Sequence, residues 1–350
     1  MNKAQPILTI KDSCFRFDES GFYINNLNLE INSGEFLGLV GESGSGKSTI
    51  GKLLACLYNK REQNGLAITQ GNLNYTGDEQ YDGKNLFDCT YKELVPFRKQ
   101  VQYLFQNHRA AVHRNMTVKQ TMMEAANIKY PELSKSDRFS IVRSRLSDVG
   151  LLDQTDTTYT ILEKKSRDLS GGQIKRLAIG RTLLMDPKVL IADEPLTGLD
   201  ASRKGRVLKY LTDVWKKRLK TDNPLTIVLI SHDIGMVLRL SKRVMVIYGD
   251  LYSKSSQIVE DNVAQGYSLN EESLHPYTNS LLATTHYFKT GESSQLHANT
   301  ISGNSINSNN GCKYVSFCPE YIDECEKRIQ VLKKYKHNES HRVACSVLNP

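Results

Sequence analysis

The apolar positions of this chain fall into short runs separated by polar turns. Phe36-Leu37-Gly38-Leu39-Val40, Val189-Leu190-Ile191-Ala192 and Thr226-Ile227-Val228-Leu229-Ile230 are continuous apolar runs, the pattern of parallel strands covered on both faces. Val244–Tyr248 predicts one more strand, and Val101–Gln106 a strand that ends in a polar residue. Near the N-terminus Ile7–Ile10 and Ile24–Ile31 alternate as half-buried strands do, followed by a turn at Asn32-Ser33-Gly34-Glu35. Thr49–Leu57 carries Ile50, Leu53, Leu54 and Leu57 at helical spacing, and Arg203–Leu219 predicts a crossover helix. Residues 58–90 are polar and dotted with glycine, which predicts short antiparallel strands and loops; Thr117 to about Gly180 predicts a helical subdomain. Residues 290–311 are dominated by Ser, Asn, Gly and Thr and predict a flexible linker, with a compact tail beyond. The pattern is that of an α/β protein without internal repeats.

Composition narrows this only a little. A length of 350 residues accommodates one large domain with an appendage or two modest domains. With 39% hydrophobic and 24% charged residues, a real core is expected. The net charge of +8 is compatible with a nucleic acid or an anionic membrane surface as neighbour. It is spread along the chain, and patches such as Lys216-Lys217-Arg218 and Lys327-Arg328 read as solvated helix faces. No stretch approaches the ~18 consecutive apolar residues of a membrane span. Met1–Pro6 has no signal-peptide character, so a cytosolic location is expected, with any membrane role borrowed from a partner. Seven cysteines in a reducing compartment argue against a disulfide framework, yet four of them fall in residues 312–350.

The candidate chemistry begins at Gly41-Glu42-Ser43-Gly44-Ser45-Gly46-Lys47-Ser48, followed by Thr49. This fits the phosphate-loop pattern GxxxxGK[ST] between a predicted strand and a predicted helix. The glycines let backbone N–H groups converge on phosphate oxygens, and the helix N-terminus adds partial positive charge. Lys47 is expected on the β- and γ-phosphates, and the Ser48 hydroxyl on Mg²⁺. Further along, polar residues close other elements: Gln106 after one strand, Leu169-Ser170-Gly171-Gly172-Gln173 before a helix, Asp193-Glu194 after another strand, then Asp200, then Ser231-His232-Asp233.

In that order and spacing, these motifs resemble the nucleotide-binding subunit of an ABC transporter over residues 8 to about 250. The resemblance implies a P-loop ATPase domain with a mixed sheet core, an antiparallel β subdomain and a helical signature subdomain, ending in a cysteine-containing extension. It implies Mg²⁺ held by Ser48, Gln106 and Asp193, with Glu194 as general base on the attacking water and His232 on the γ-phosphate. Gln106 would also transmit the change to the membrane subunit, and Phe17 would stack on adenine, with Phe15 as its weaker competitor. Leu169 to Gln173 form the signature, which in the family closes over ATP held by the opposite subunit, with Asp200 in the D-loop between. Two subunits then sandwich two nucleotides.

The segment His275-Pro276-Tyr277-Thr278, with Leu281-Leu282, resembles the tail of oligopeptide, dipeptide and nickel importer ATPases. So does the run from Gly311-Cys312 through Cys318-Pro319 and Cys325 to His341-Arg342-Val343-Ala344-Cys345. Three departures stand out: Asn107–Arg114 after the Q-loop glutamine, Thr197-Gly198 in the D-loop, and residues 249–257, which read as an insertion. The branch implies two ATPase subunits, two permeases and an extracytoplasmic binding protein at the cytoplasmic face of the inner membrane. It also implies a four-iron four-sulfur cluster on Cys312, Cys318, Cys325 and Cys345, spaced C-x5-C-x6-C-x19-C. Zinc, with His337 and His341 as substitute ligands, and four buried free thiols are the alternatives. The expected division is an ATPase domain over 1–265, its helical subdomain about 107–180, a family-specific helix region over 266–289, the linker over 290–311 and the tail over 312–350. The rival function is a soluble ABC ATPase acting mechanically on nucleic acid or ribosomes; the absence of sustained heptads between phosphate loop and signature speaks against it.

Overall fold

The computed structural model describes residues 5–17, 21–58, 60, 66–109, 111–152, 160–250, 254–263, 274–290, 311–327, 330–336 and 338–349. The expected linker, the boundary at 265–266 and His337 fall outside these residues. The chain forms two compact units, Met1–Tyr91 with Val228–Pro350, and Lys92–Ile227.

In the first unit six strands lie in the order Leu66–Tyr75, Pro6–Phe17, Tyr23–Asn32, Ser255–Val263, Arg243–Asp250, Phe36–Val40. The outer strands pair antiparallel, whereas Phe36–Val40 runs parallel to Arg243–Asp250. Phe36–Val40 is buried at every position, as its unbroken apolar run requires. The first strand is longer than its alternation predicted. Its register shifts between Ile10 and Phe15, and Asp12 takes a φ of 46°. Such bulges break the period of two that sequence reading relies on. Gly71 faces this bulge, where a Cβ would lie 2.0 Å from the Ser13 hydroxyl. Residues 66–75 form one long strand rather than several short ones, followed by two 3₁₀ turns at Glu79–Tyr81 and Leu86–Asp88. Of the expected insertion at 249–257, residues 251–253 lie outside the described residues, and Gly249 and Asp250 pair antiparallel with Ser256 and Ser255.

The cysteine tail is not a separate body within this unit. Asn338–Val343 pairs antiparallel with Ser255–Val263 and with Lys333–Tyr335, so the tail adds strands to the sheet. His341 Nε2 lies 2.9 Å from Glu260 Oε1, both buried, and Glu260 Oε2 accepts from the His275 N–H at 3.2 Å. One carboxylate therefore ties the tail strand to the start of the helix Pro276–Thr290.

In the second unit Val101–Leu104 pairs parallel with Val189–Asp193. The helices Val118–Lys129, Lys135–Asp148 and Gly171–Leu184 make the predicted helical subdomain. Val118–Lys129 opens with a Thr117–Gln120 capping box. The crossover helix spans Ala201–Arg218. Tyr91–Gln100, over which the sequence predicts no element, is a helix: Pro96 sits inside it, and burial of Leu94 and Phe97 offsets the proline penalty of about 3 kcal/mol. Thr226–Ser231, buried throughout, carries the chain back into the first unit.

Candidate nucleotide site

Phosphate loop and helix Lys47–Leu54 belong to the first unit. Gly41, Gly44 and Gly46 have φ of 155°, 84° and 89°, so the turn needs residues without a Cβ. At Gly41 a Cβ would meet the Ile247 carbonyl oxygen at 2.1 Å. Lys47 is buried, and its ammonium donates to Gly41 O at 2.8 Å and Glu42 O at 2.5 Å. The Ser256 hydroxyl donates to Ser45 O at 2.6 Å, bracing the loop from the neighbouring strand. Ser48 and Thr49 lie in the first turn of the helix. The Gly46 cap supplies no side-chain acceptor to that turn. This arrangement suits an anion.

Phe17 packs edge-on against Tyr58, ring centroids 6.2 Å apart. Phe15, its competitor, is a core residue 1% exposed and packed on Phe87, so it is no candidate for a base. His232 is exposed at the end of Thr226–Ser231, and Asp233 beside it caps the next helix by accepting from the Met236 N–H at 2.9 Å.

The second unit brings together the acidic pair and the signature. Asp193 is 2% exposed at the end of its strand, and the Tyr103 hydroxyl donates to its Oδ2 at 2.6 Å. Glu194 takes a φ of 48°, a sparsely populated region for any residue but glycine. The Thr197 hydroxyl donates to Glu194 Oε2 at 2.8 Å, and Lys175, buried in the signature helix, donates to the Thr197 carbonyl. Burial pushes the Lys175 ammonium down to about 8; Glu194 pulls it up and Lys204 pushes it down. Sequence reading missed Tyr103, Lys175 and the Thr197 hydroxyl as parts of this site. Of the two D-loop departures, Thr197 orients the carboxylate.

Ser170 caps the helix Gly171–Leu184 in a reciprocal box with Gln173: Gln173 N donates to Ser170 Oγ at 3.3 Å, and Ser170 N to Gln173 Oε1 at 2.9 Å. The Leu-Ser-Gly-Gly-Gln order is thus a helix start, with Leu169 buried beneath it and Gly171 open to solvent. Gln106 is exposed. The atypical segment after it is stitched to the signature approach: Arg109 Nη2 donates to Leu169 O at 3.4 Å, and Arg167 N to Arg114 O at 3.1 Å. His108 in that segment is buried, and burial with the nearby Lys175 charge pushes its pKa down to about 4, so the ring is neutral. Asp200 is exposed just ahead of the crossover helix.

All four tail cysteines are buried and unbonded to one another. Burial pushes Cys312 and Cys318 up to about 12, so both thiols stay protonated. Among the described residues no three or more His, Cys, Asp or Glu side chains are arranged to hold a metal ion. His341, the other substitute ligand, has its Nε2 engaged by Glu260.

A glycine loop holding a lysine, an acidic pair at a strand end and a serine-capped signature helix together define an ATP-binding cassette. The ABC transporter family pattern matches residues 24–197. The chain is 34% identical over 260 residues to the oligopeptide transport ATP-binding protein OppF of Bacillus subtilis, covering 74% of this chain and 75% of that protein. It is 32% identical over 288 residues to the dipeptide transport ATP-binding protein DppF of Lactococcus lactis, covering 81% and 82%. A dimeric ATP-binding cassette solved after hydrolysis with ADP and Pi aligns at a TM-score of 0.59 with 25% identity, over 75% of this chain and all of that one. The chain belongs to the ABC transporter ATP-binding family and is an ATPase of that class. Among the described residues no helix is long and apolar enough to cross a membrane.

The Lys175–Thr197–Glu194 chain carries a prediction. Thr197→Val removes a hydrogen bond to a charged group, so kcat for ATP should fall by roughly tenfold while ATP affinity stays unchanged. Steady-state kinetics with a direct nucleotide-binding measurement separate the two.

Proposed function

We propose that this ATPase powers uptake of peptides or a related small solute through partner permeases, as the peripheral subunit on the cytoplasmic face of the inner membrane. The observation that carries this reading is similarity to oligopeptide and dipeptide transport proteins along about three-quarters or more of the chain. The rival role on nucleic acid or ribosomes draws no support from these relatives.

In this reading the residues 41–49 bind the triphosphate and Phe17 meets the adenine. Ser48, Gln106 and Asp193 hold Mg²⁺; they are hard oxygen donors, and Asp193 is already oriented by Tyr103, which suits that ion. When bound there, Mg²⁺ would neutralise charge on the phosphates. Glu194 takes the proton of the attacking water, its carboxylate aimed by Thr197. His232 steadies the γ-phosphate. Leu169, Ser170, Gly171, Gly172 and Gln173 present a helix N-terminus to the nucleotide of the opposing subunit, with Asp200 in the D-loop between them. The subunits therefore work as a pair, and Gln106 conveys closure to the permeases. The extracytoplasmic binding protein selects the solute. Recovery of the chain from solubilised membranes tests this: a multi-span permease pair and a binding protein should copurify, and recovery with ribosomes or nucleic acid instead would overturn it.

A finer reading concerns the tail. Its four buried cysteines are an all-sulfur donor set, and their spacing, which lacks the C-x2–4-C pairs of structural zinc sites, supports a four-iron four-sulfur cluster over zinc, although among the described residues they are not arranged to hold an ion. Protein purified without oxygen should contain iron and absorb in the visible charge-transfer region. Colourless, iron-free protein, with or without zinc, contradicts the cluster.

A further inference from the structure

The phosphate loop is gripped from outside by a residue that none of the nucleotide motifs contains. The Glu42 N–H donates to the Tyr277 hydroxyl at 3.0 Å. That N–H belongs to the same peptide plane as the Gly41 carbonyl, which accepts the Lys47 ammonium at 2.8 Å. One peptide is thus held at both ends, by Tyr277 at its amide and by Lys47 at its carbonyl. Rotating it would move the ammonium that the phosphates require. Gly41 lies close to the Ile247 carbonyl, which a Cβ there would meet at 2.1 Å.

Tyr277 is itself built into position. His275 and Pro276 start its helix: the His275 Nδ1 accepts the Tyr277 N–H at 3.1 Å, and proline is suited to the first helical position. Burial pushes the His275 pKa down to about 3, so that ring nitrogen is available as an acceptor at neutral pH. The Tyr277 ring lies 4.8 Å from Tyr248 and 5.4 Å from Tyr314, and Tyr248 and Tyr314 are 5.1 Å apart. Tyr314 stands two residues after Cys312 and four before Cys318 in the tail. Its hydroxyl pairs with Ser280 Oγ at 3.1 Å, one turn along the helix from Tyr277. Burial pushes the Tyr277 and Tyr314 hydroxyls up, so both stay protonated.

We propose that Tyr277 is a positioning residue for nucleotide binding, fixing the Gly41–Glu42 peptide so that Lys47 meets the phosphates, and that Tyr314 of the cysteine tail holds Tyr277 in place. The tail then sets the affinity of the phosphate loop for a nucleoside triphosphate. The order is cysteine tail, Tyr314, Tyr277, Glu42 N–H, Lys47. The proposal deepens the assigned ATPase site and rests on that loop binding nucleotide, which the wild-type chain's own affinity for MgATP establishes separately.

The test is Tyr277→Phe in the full chain, which deletes one oxygen and keeps the ring. The dissociation constant for MgATP, measured by displacement of a fluorescent nucleotide, should rise about threefold to tenfold, the effect of one lost hydrogen bond. KM should rise with it while kcat stays near wild type, and the thermal midpoint without nucleotide should fall by only a few degrees, the cost of that hydrogen bond in the free chain. Tyr314→Leu should weaken MgATP binding in the wild-type background and add almost nothing in the Tyr277→Phe background, since both act through one hydroxyl. Wild-type affinity in Tyr277→Phe overturns the proposal. An equal effect of Tyr314→Leu in both backgrounds removes the tail from it. A wild-type chain that binds no MgATP would sink the ATPase reading instead.

Discussion

Replacing Glu194 by Gln should cut steady-state ATP hydrolysis by about a hundredfold to ten-thousandfold, the contribution expected of a general base, and leave MgATP binding intact. The expected phenotype is a paired, nucleotide-loaded subunit that does not reset. The substitution is nearly isosteric, and the amide can still accept the Thr197 hydroxyl's hydrogen bond, so loss of activity would report the lost charge and basicity rather than a collapsed turn. Phosphate release and bound-nucleotide content, measured on the same preparation, check both halves. Appreciable turnover by this variant within the assembled transporter counts against the assignment of Glu194.

The second large effect belongs to Lys47. Its ammonium is buried among loop carbonyls, and in the proposed site it exchanges some of these for phosphate oxygens. A hydrogen bond to a charged group contributes about 1.5–3 kcal/mol, so Lys47→Ala should raise the MgATP dissociation constant by about tenfold to a hundredfold for each bond lost. Equilibrium binding by calorimetry reads this directly. The two substitutions differ in kind, since one stops chemistry with nucleotide held and the other stops holding it. Confusing their phenotypes would mean the roles are misassigned.

The parts of the fold that could be read in the sequence are those whose signal is local. Phe36–Val40, Val189–Ala192 and Thr226–Ile230 are buried strands as their unbroken apolar runs predict. The glycines of the phosphate loop occupy the backbone conformations their spacing implies, and Ser170 starts a helix. What escaped detection is non-local or runs against propensity. Tyr103 reads as an ordinary aromatic in a strand until its hydroxyl is found on Asp193, ninety residues away. Lys175 reads as a solvated helix position, yet it is buried on the Thr197 carbonyl. Pro96 hides a helix that burial of Leu94 and Phe97 sustains. The tail strands escaped because Lys333 and Lys334 lie exposed on a short edge and carry no apolar alternation. His341 was weighed as a metal ligand on residue type alone, and only the sheet pairing brings it to Glu260.

The central claim is that two cassettes share their sites, each signature serving the other's phosphate loop. The most direct measurement places Lys47→Ala in this chain and an arginine at the signature serine of the other cassette in one purified transporter, then counts trapped nucleotide. Sharing predicts that both lesions fall in the same composite site, so one intact site remains and traps one nucleotide per transporter. If each signature instead served its own chain's loop, both sites would be broken and no nucleotide would be trapped.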